Sequence, residues 1–81
     1  MTAEEVRSAV LRSLSEVAPE ADAAALRPDV DLREQLDIDS MDFLNFVIGI
    51  HERTGVDIPE ADYGSLRTLD DLVDYLGART R

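Results

Sequence analysis

The chain contains no cysteine, no lysine, a single histidine and no long apolar run. Without cysteine, disulfides, iron–sulfur clusters and zinc–thiolate sites are excluded. The one histidine, His51, cannot supply a multi-histidine metal centre, and no metal site is expected. No apolar stretch approaches the roughly 20 residues of a membrane span. The opening run Met1-Thr2-Ala3-Glu4-Glu5 is acidic where a secretory signal would be basic and then apolar, so the expected location is the cytoplasm. All eight basic residues are arginine, against eighteen acidic residues, for a formal charge of -10. Such a chain is repelled by nucleic acid and by anionic membranes, and attracted to basic protein surfaces. What remains is 81 residues, 44% apolar and 32% charged. That composition fits one small globular domain spanning residues 1–81, with a thin core that buries only about 60% of the unfolded chain's surface.

Helix signals are clear at three places. Thr2 with Glu5 forms a capping box ahead of Val6, Val10, Leu14 and Val17, whose spacing of three and four predicts one apolar stripe on a helix from about Thr2 to Val17. Pro19 ends it. Residues Ala18 to Asp39 show no sustained period, and Pro28, Asp29, Asp31, Glu34 and Asp37 read as exposed loop. Leu26, Val30, Leu32 and Leu36 are expected to pin this long loop onto the helices, with a short helical turn at Leu32 to Leu36. The central helix covers Ser40 to Thr54, with Asp39 as N-cap, Asp42 in the capping-box position and Gly55 as the left-handed stop. At about 100° per residue, Phe43, Phe46, Val47 and Ile50 share one face while Met41, Leu44 and Ile48 share nearly the opposite one. So small a domain buries one face, and the one with both aromatics is the core candidate. Met41, Leu44 and Ile48, with Asn45 and Glu52 beside them, are left as an exposed docking strip. Ile58 to Gly64 reads as a short helical turn with Pro59 at its first position. Thr68 with Asp71 starts a last helix, buried through Leu69, Leu72, Val73 and Leu76 and ended by Gly77, beyond which Arg79 to Arg81 are expected to fray. The sum is all-α, with four helices, a long first connection and a short third helix.

Ser40 stands at the mouth of the central helix between Asp39 and Met41. Helix capping is the bland role for such a serine. Hydrolase chemistry needs a base within hydrogen-bond reach, and His51 lies about 16 Å away along the same helix. The Gly-x-Ser-x-Gly elbow is also missing. A calcium loop needs an oxygen ligand at its fifth position and glycine at its sixth. Counted from Asp37 these are Met41 and Asp42, and counted from Asp29 they are Arg33 and Glu34, so both registers fail. An exposed, unactivated serine suits the role of substrate for another enzyme. A phosphodiester on Ser40 would sit against the free amides of the helix start.

The runs Leu36-Asp37-Ile38-Asp39-Ser40-Met41-Asp42, Thr54-Gly55-Val56-Asp57-Ile58-Pro59 and Thr68-Leu69-Asp70-Asp71-Leu72-Val73-Asp74-Tyr75-Leu76 occur in order across the chain. Together they resemble an acyl carrier protein of the stand-alone type. The resemblance implies a four-helix bundle and a carrier that catalyses nothing. It implies 4'-phosphopantetheine from coenzyme A, attached to Ser40 by a magnesium-dependent phosphopantetheinyl transferase, with acyl intermediates carried on its thiol as thioesters. It further implies partners of the fatty-acid or polyketide type, acyl- or aminoacyl-ligases and synthases with basic docking patches, meeting a monomer at Asp39, Met41, Asp42, Leu44, Asn45, Ile48 and Glu52. Asp37 replaces the family's usual glycine, Met41 its commoner leucine, and Asn45 and His51 stand where many members have glutamate. This altered face suggests a dedicated pathway. An aminoacyl or peptidyl carrier, or an unmodified helical adaptor, are the alternatives. Gly49, in mid-helix at about 1 kcal/mol less favourable than alanine, allows close approach of a neighbouring helix or of an attached chain, or is merely tolerated.

Overall fold

The computed structural model describes residues 1–80. Helix α1 spans Ala3–Val17. Its start is closed by the expected capping box, in which Glu5 N–H donates to Thr2 Oγ1 at 3.1 Å and Thr2 N–H to Glu5 Oε1 at 2.8 Å. It ends where Ala18 N–H reaches Leu14 O at 2.9 Å, because Pro19 has no amide with which to continue. Val6, Ala9, Val10, Ser13 and Leu14 are buried.

The connection to the central helix is more ordered than its aperiodic sequence suggests. It holds a 3-10 turn at Ala23–Ala25, capped by Asp22, and one turn of helix, α2, at Leu32–Gln35, capped by Asp31. The Gln35 side chain does what a ladder would do elsewhere. Its Oε1 accepts from Arg27 N–H at 2.7 Å, and its Nε2 donates to Arg27 O at 2.7 Å and Val30 O at 2.8 Å. Leu32 is fully buried, and Leu26 and Leu36 pack on the core. Val30 stays half-exposed and is no anchor; Ala18 and Ile38 are buried in its place.

Helix α3 spans Ser40–Thr54, with Asp39 as N-cap and Gly55 at φ 73° as its left-handed stop. A 3-10 segment follows at Glu60–Ser65. Pro59 sits just outside this segment, not at its first helical position, since its ψ of 144° is extended. Buried Ile58 lies just before it and feeds the core. Helix α4 spans Leu69–Arg79 behind the Thr68–Asp71 capping box. Gly77 does not end it. Among the described residues the only positive-φ glycine is Gly55, so Gly77 is an ordinary helical residue, and Thr80 is the C-cap. Side chains satisfy the last turn: Thr80 Oγ1 donates to Leu76 O at 2.9 Å, and Arg79 donates to Tyr75 O while lying 3.5 Å over the Tyr75 ring. Arg79 therefore does not fray, and Arg81 lies outside the described residues.

The bundle is α1, α3, the 3-10 segment and α4, the arrangement expected, with its short member of 3-10 type. α1 packs on both α3 and α4. Val6, Val10, Leu14, Leu32, Phe46, Ile50, Leu69, Leu72 and Leu76 share one core cluster. Each contributes about 1.5–3 kcal/mol by leaving water. Gly49 faces buried Ser13 of α1, where an added Cβ would lie 3.3 Å from both Ser13 Cβ and Oγ. Its missing side chain is what lets the two helices approach. Beside this seam Arg53 donates to Glu16 at 2.7 Å, and that contact holds the Glu16 carboxyl below the usual range.

Candidate functional site

Capping at the start of α3 is complete without Ser40. Asp42 N–H donates to Asp39 Oδ1 at 2.9 Å, and Asp39 N–H donates to Asp42 Oδ2 at 3.2 Å. Ser40 is the first helical residue and is exposed. Its hydroxyl enters no hydrogen bond among the described residues, whereas Ser13, Ser15 and Ser65 each donate to a backbone carbonyl. The amides of Ser40 and Met41 have no intrahelical acceptor, as at any helix start. The site thus offers a free hydroxyl beside two outward amides at the positive end of a four-turn helix.

No base serves that hydroxyl. His51 is in the last turn of α3, and its Nδ1 donates to Val56 O at 2.9 Å, since a carbonyl can only accept. Asp39 and Asp42, the acidic neighbours of Ser40 in sequence, are engaged in the cap. Asp31 caps α2 and lies 3.9 Å from Arg67 Nε, while Asp29 and Asp37 face solvent. Among the described residues no group of three or more histidine and acidic side chains is placed to hold a metal ion.

One residue after Ser40 an apolar strip begins. Met41 is 68% exposed, Leu44 43% and Ile48 46%, while Phe43, Phe46, Val47 and Ile50 on the other face are buried. Asp39, Asn45 and Glu52 are exposed alongside. Asp42 is half-buried, because its carboxylate turns back to the Asp39 amide.

A groove of about 710 Å³ also opens at Ser40. Met41, Phe43 and Leu44 of α3 line it together with Leu66. Asp31, Arg33 and Arg67 form one wall, and Glu60, Tyr63 and Gly64 of the 3-10 segment form the other. Apart from Asp31, read as part of an exposed acidic loop, none of these wall residues stood out in the sequence. They carry no local period, and only the fold brings them beside Ser40. Among the described residues, no helix is long and apolar enough to cross a membrane.

The family described as "Phosphopantetheine attachment site" matches residues 8–76. An acyl carrier protein of Campylobacter hominis is 36% identical over 73 residues, covering 90% of this chain and 86% of that one. An acyl carrier protein of Myxococcus xanthus is 31% identical over 70 residues, covering 83% and 89%. The fold is matched by the solution structure of a chain from Anaplasma phagocytophilum, provisionally assigned as an acyl carrier protein. Its TM-score is 0.85 at 24% identity, covering 100% of this chain and 94% of that one.

Proposed function

Because the chain belongs to the acyl carrier proteins, we propose that Ser40 is the residue that bears the prosthetic group and that the exposed face of α3 receives the partner enzymes. The protein is a carrier, not a catalyst: it holds acyl groups on covalently attached 4'-phosphopantetheine. Such a carrier works with a phosphopantetheinyl transferase and with synthase enzymes. The arm supplies a thiol for the thioester linkage.

The observation that carries the Ser40 assignment is its hydroxyl, exposed and unbonded while Asp39 and Asp42 complete the cap. Of the other serines in the matched region, Ser13 is buried, and Ser15 and Ser65 are held by carbonyls. Ser8 lies within α1, where no free amides stand ready for a phosphate. At Ser40 the helix start favours an anion by about 0.3–1 kcal/mol. With no base of its own, the hydroxyl depends on the transferase to take its proton as the oxygen displaces the nucleotide part of coenzyme A.

Around Ser40, Asp39, Met41, Leu44, Asn45, Ile48 and Glu52 offer apolar contact edged by negative charge, with half-buried Asp42 adding its field. Enzymes with a basic rim around an apolar patch fit this face, and the chain's charge of -10 steers them to it. The groove at Ser40 gives the arm or its cargo a place to lie against the protein. We take residues 1–81 as a single carrier domain acting as a monomer in the cytoplasm, without nucleic-acid or membrane partners.

The test is intact mass after incubation with coenzyme A, magnesium and a broad-specificity transferase. One phosphopantetheinyl increment is expected on the native chain and none on Ser40→Ala, whose circular dichroism should be unchanged. An increment that persists in Ser40→Ala would refute the assignment. No increment on either chain would favour an unmodified adaptor.

A further inference from the structure

The two walls of the groove beside Ser40 are built differently. On one side, the α2 entrance is tied to the α4 entrance by backbone: Leu32 N–H donates to Arg67 O at 2.8 Å and Asp70 N–H to Pro28 O at 3.0 Å. The opposite wall is the 3-10 segment Glu60–Ser65, which has no fully buried residue. Its six residues exceed the three or four usual for this helix, whose hydrogen bonds are poorly aligned. Its own bonds are local, as in Asp62 N–H to Pro59 O and Ser65 Oγ–H to Asp62 O. The side chains of Tyr63 and Asp62 hold it to the body. The Tyr63 ring meets Phe43 edge-on, with centroids 5.7 Å apart, and Tyr75 Oη donates to Asp62 Oδ2 at 2.7 Å. Buried Ile58 and Leu66 anchor the chain at either end, where hinges belong. The Tyr75 ring is in turn held by the Arg79 guanidinium stacked on it.

We propose that the Tyr75–Asp62 hydrogen bond is a latch that fixes the movable wall of this groove, making Tyr75 and Asp62 positioning residues for the size of acyl group it shelters. The proposal rests on the reading that cargo is attached at Ser40. With the latch closed, the segment stands on α4 and the groove keeps one width. With it open, the wall between its Ile58 and Leu66 anchors is held only through Tyr63, packed on Phe43 and the core, and a chain lying in the groove is exposed to water.

The experiment is hydrogen exchange on the unmodified chain, native against Tyr75→Phe, which removes one oxygen and keeps the ring under Arg79. Loss of a hydrogen bond to a carboxylate should speed exchange at the Asp62 and Leu66 amides about tenfold, with α1 and α3 amides unchanged. Asp62→Asn, which retains an acceptor oxygen, should produce a smaller increase. An unchanged segment, or the same acceleration throughout the bundle, would overturn the latch. A second measurement follows cleavage of the loaded arm by hydroxylamine. The octanoyl thioester should be cleaved faster in Tyr75→Phe, by up to the same factor, while the acetyl thioester, too short to use the groove, is cleaved equally in both. Equal octanoyl rates would overturn the sheltering role. Failure of Ser40 to accept the arm would count against the attachment site alone, since exchange needs no arm.

Discussion

Replacing Gly49 by alanine sets helix propensity against packing. In mid-helix, alanine is favoured over glycine by about 1 kcal/mol. The new methyl, however, would lie 3.3 Å from both Ser13 Cβ and Ser13 Oγ. Optimal contacts are about 3.5–4.0 Å, so α1 and α3 must part by a few tenths of an ångström. Arg53 Nη1, 3.4 Å away, is the end of a flexible side chain and can move aside. Ser13 cannot: it is 1% exposed, and its Oγ is fixed to Ala9 O at 2.8 Å. Overpacking of this kind costs about 1–3 kcal/mol. Taking about 2 for the clash against about 1 gained, Gly49→Ala should destabilise the native chain by about 1 kcal/mol, lowering Tm by about 4–8 °C. In a Ser13→Gly background both clashing atoms are gone and the same change should stabilise, giving a coupling of about 2 kcal/mol. Urea denaturation of the four chains, followed by far-ultraviolet circular dichroism, measures this. A Gly49→Ala chain more stable than the native one, or an equal effect in both backgrounds, would refute the view that Gly49 exists to admit α1.

On the docking face, Leu44→Glu should change stability by less than about 0.5 kcal/mol while raising the KM of a partner synthase several-fold. Its companion Asp39→Ser keeps a good N-cap but loses the charge, so association with a basic partner should slow and become less salt-dependent at unchanged stability. Unfolding of Leu44→Glu would show that face to be core. Two carboxyls give the acid limb of stability a sign. Glu5 is held below the usual range by its hydrogen bonds with Thr2, and Glu16 by Arg53. A lowered folded pKa adds stability that is present above the ordinary value of about 4.3 and lost as pH falls through the folded one. Urea midpoints taken from about pH 6 to about pH 3 should therefore fall, and fall less in Glu16→Gln. An identical slope in that variant would remove Glu16 from the account.

The helix starts at Ala3, Ser40 and Leu69 were legible because each is written in four adjacent residues: Thr2–Glu5, Asp39–Asp42 and Thr68–Asp71. The division of α3 into a buried face and an open one was legible for the same reason, as a period of 3.6 needs no distant partner. Misreadings fell where local signals compete with distant ones. Gly77 resembles a stop, but Arg79 and Thr80 satisfy the last turn from their side chains. Val30 resembles an anchor, but Gln35 holds its loop by the backbone.

Short-range chemistry in the chain therefore determined three capped helices, an acidic surface and one serine with nothing nearby to activate it. Only the tertiary structure decided that Ser40 opens on a groove, that Gly49 is a seam with Ser13, and that Tyr75 reaches Asp62. Those relations join residues far apart in sequence, and their energies exist only once packing has brought the partners within hydrogen-bond or van der Waals range.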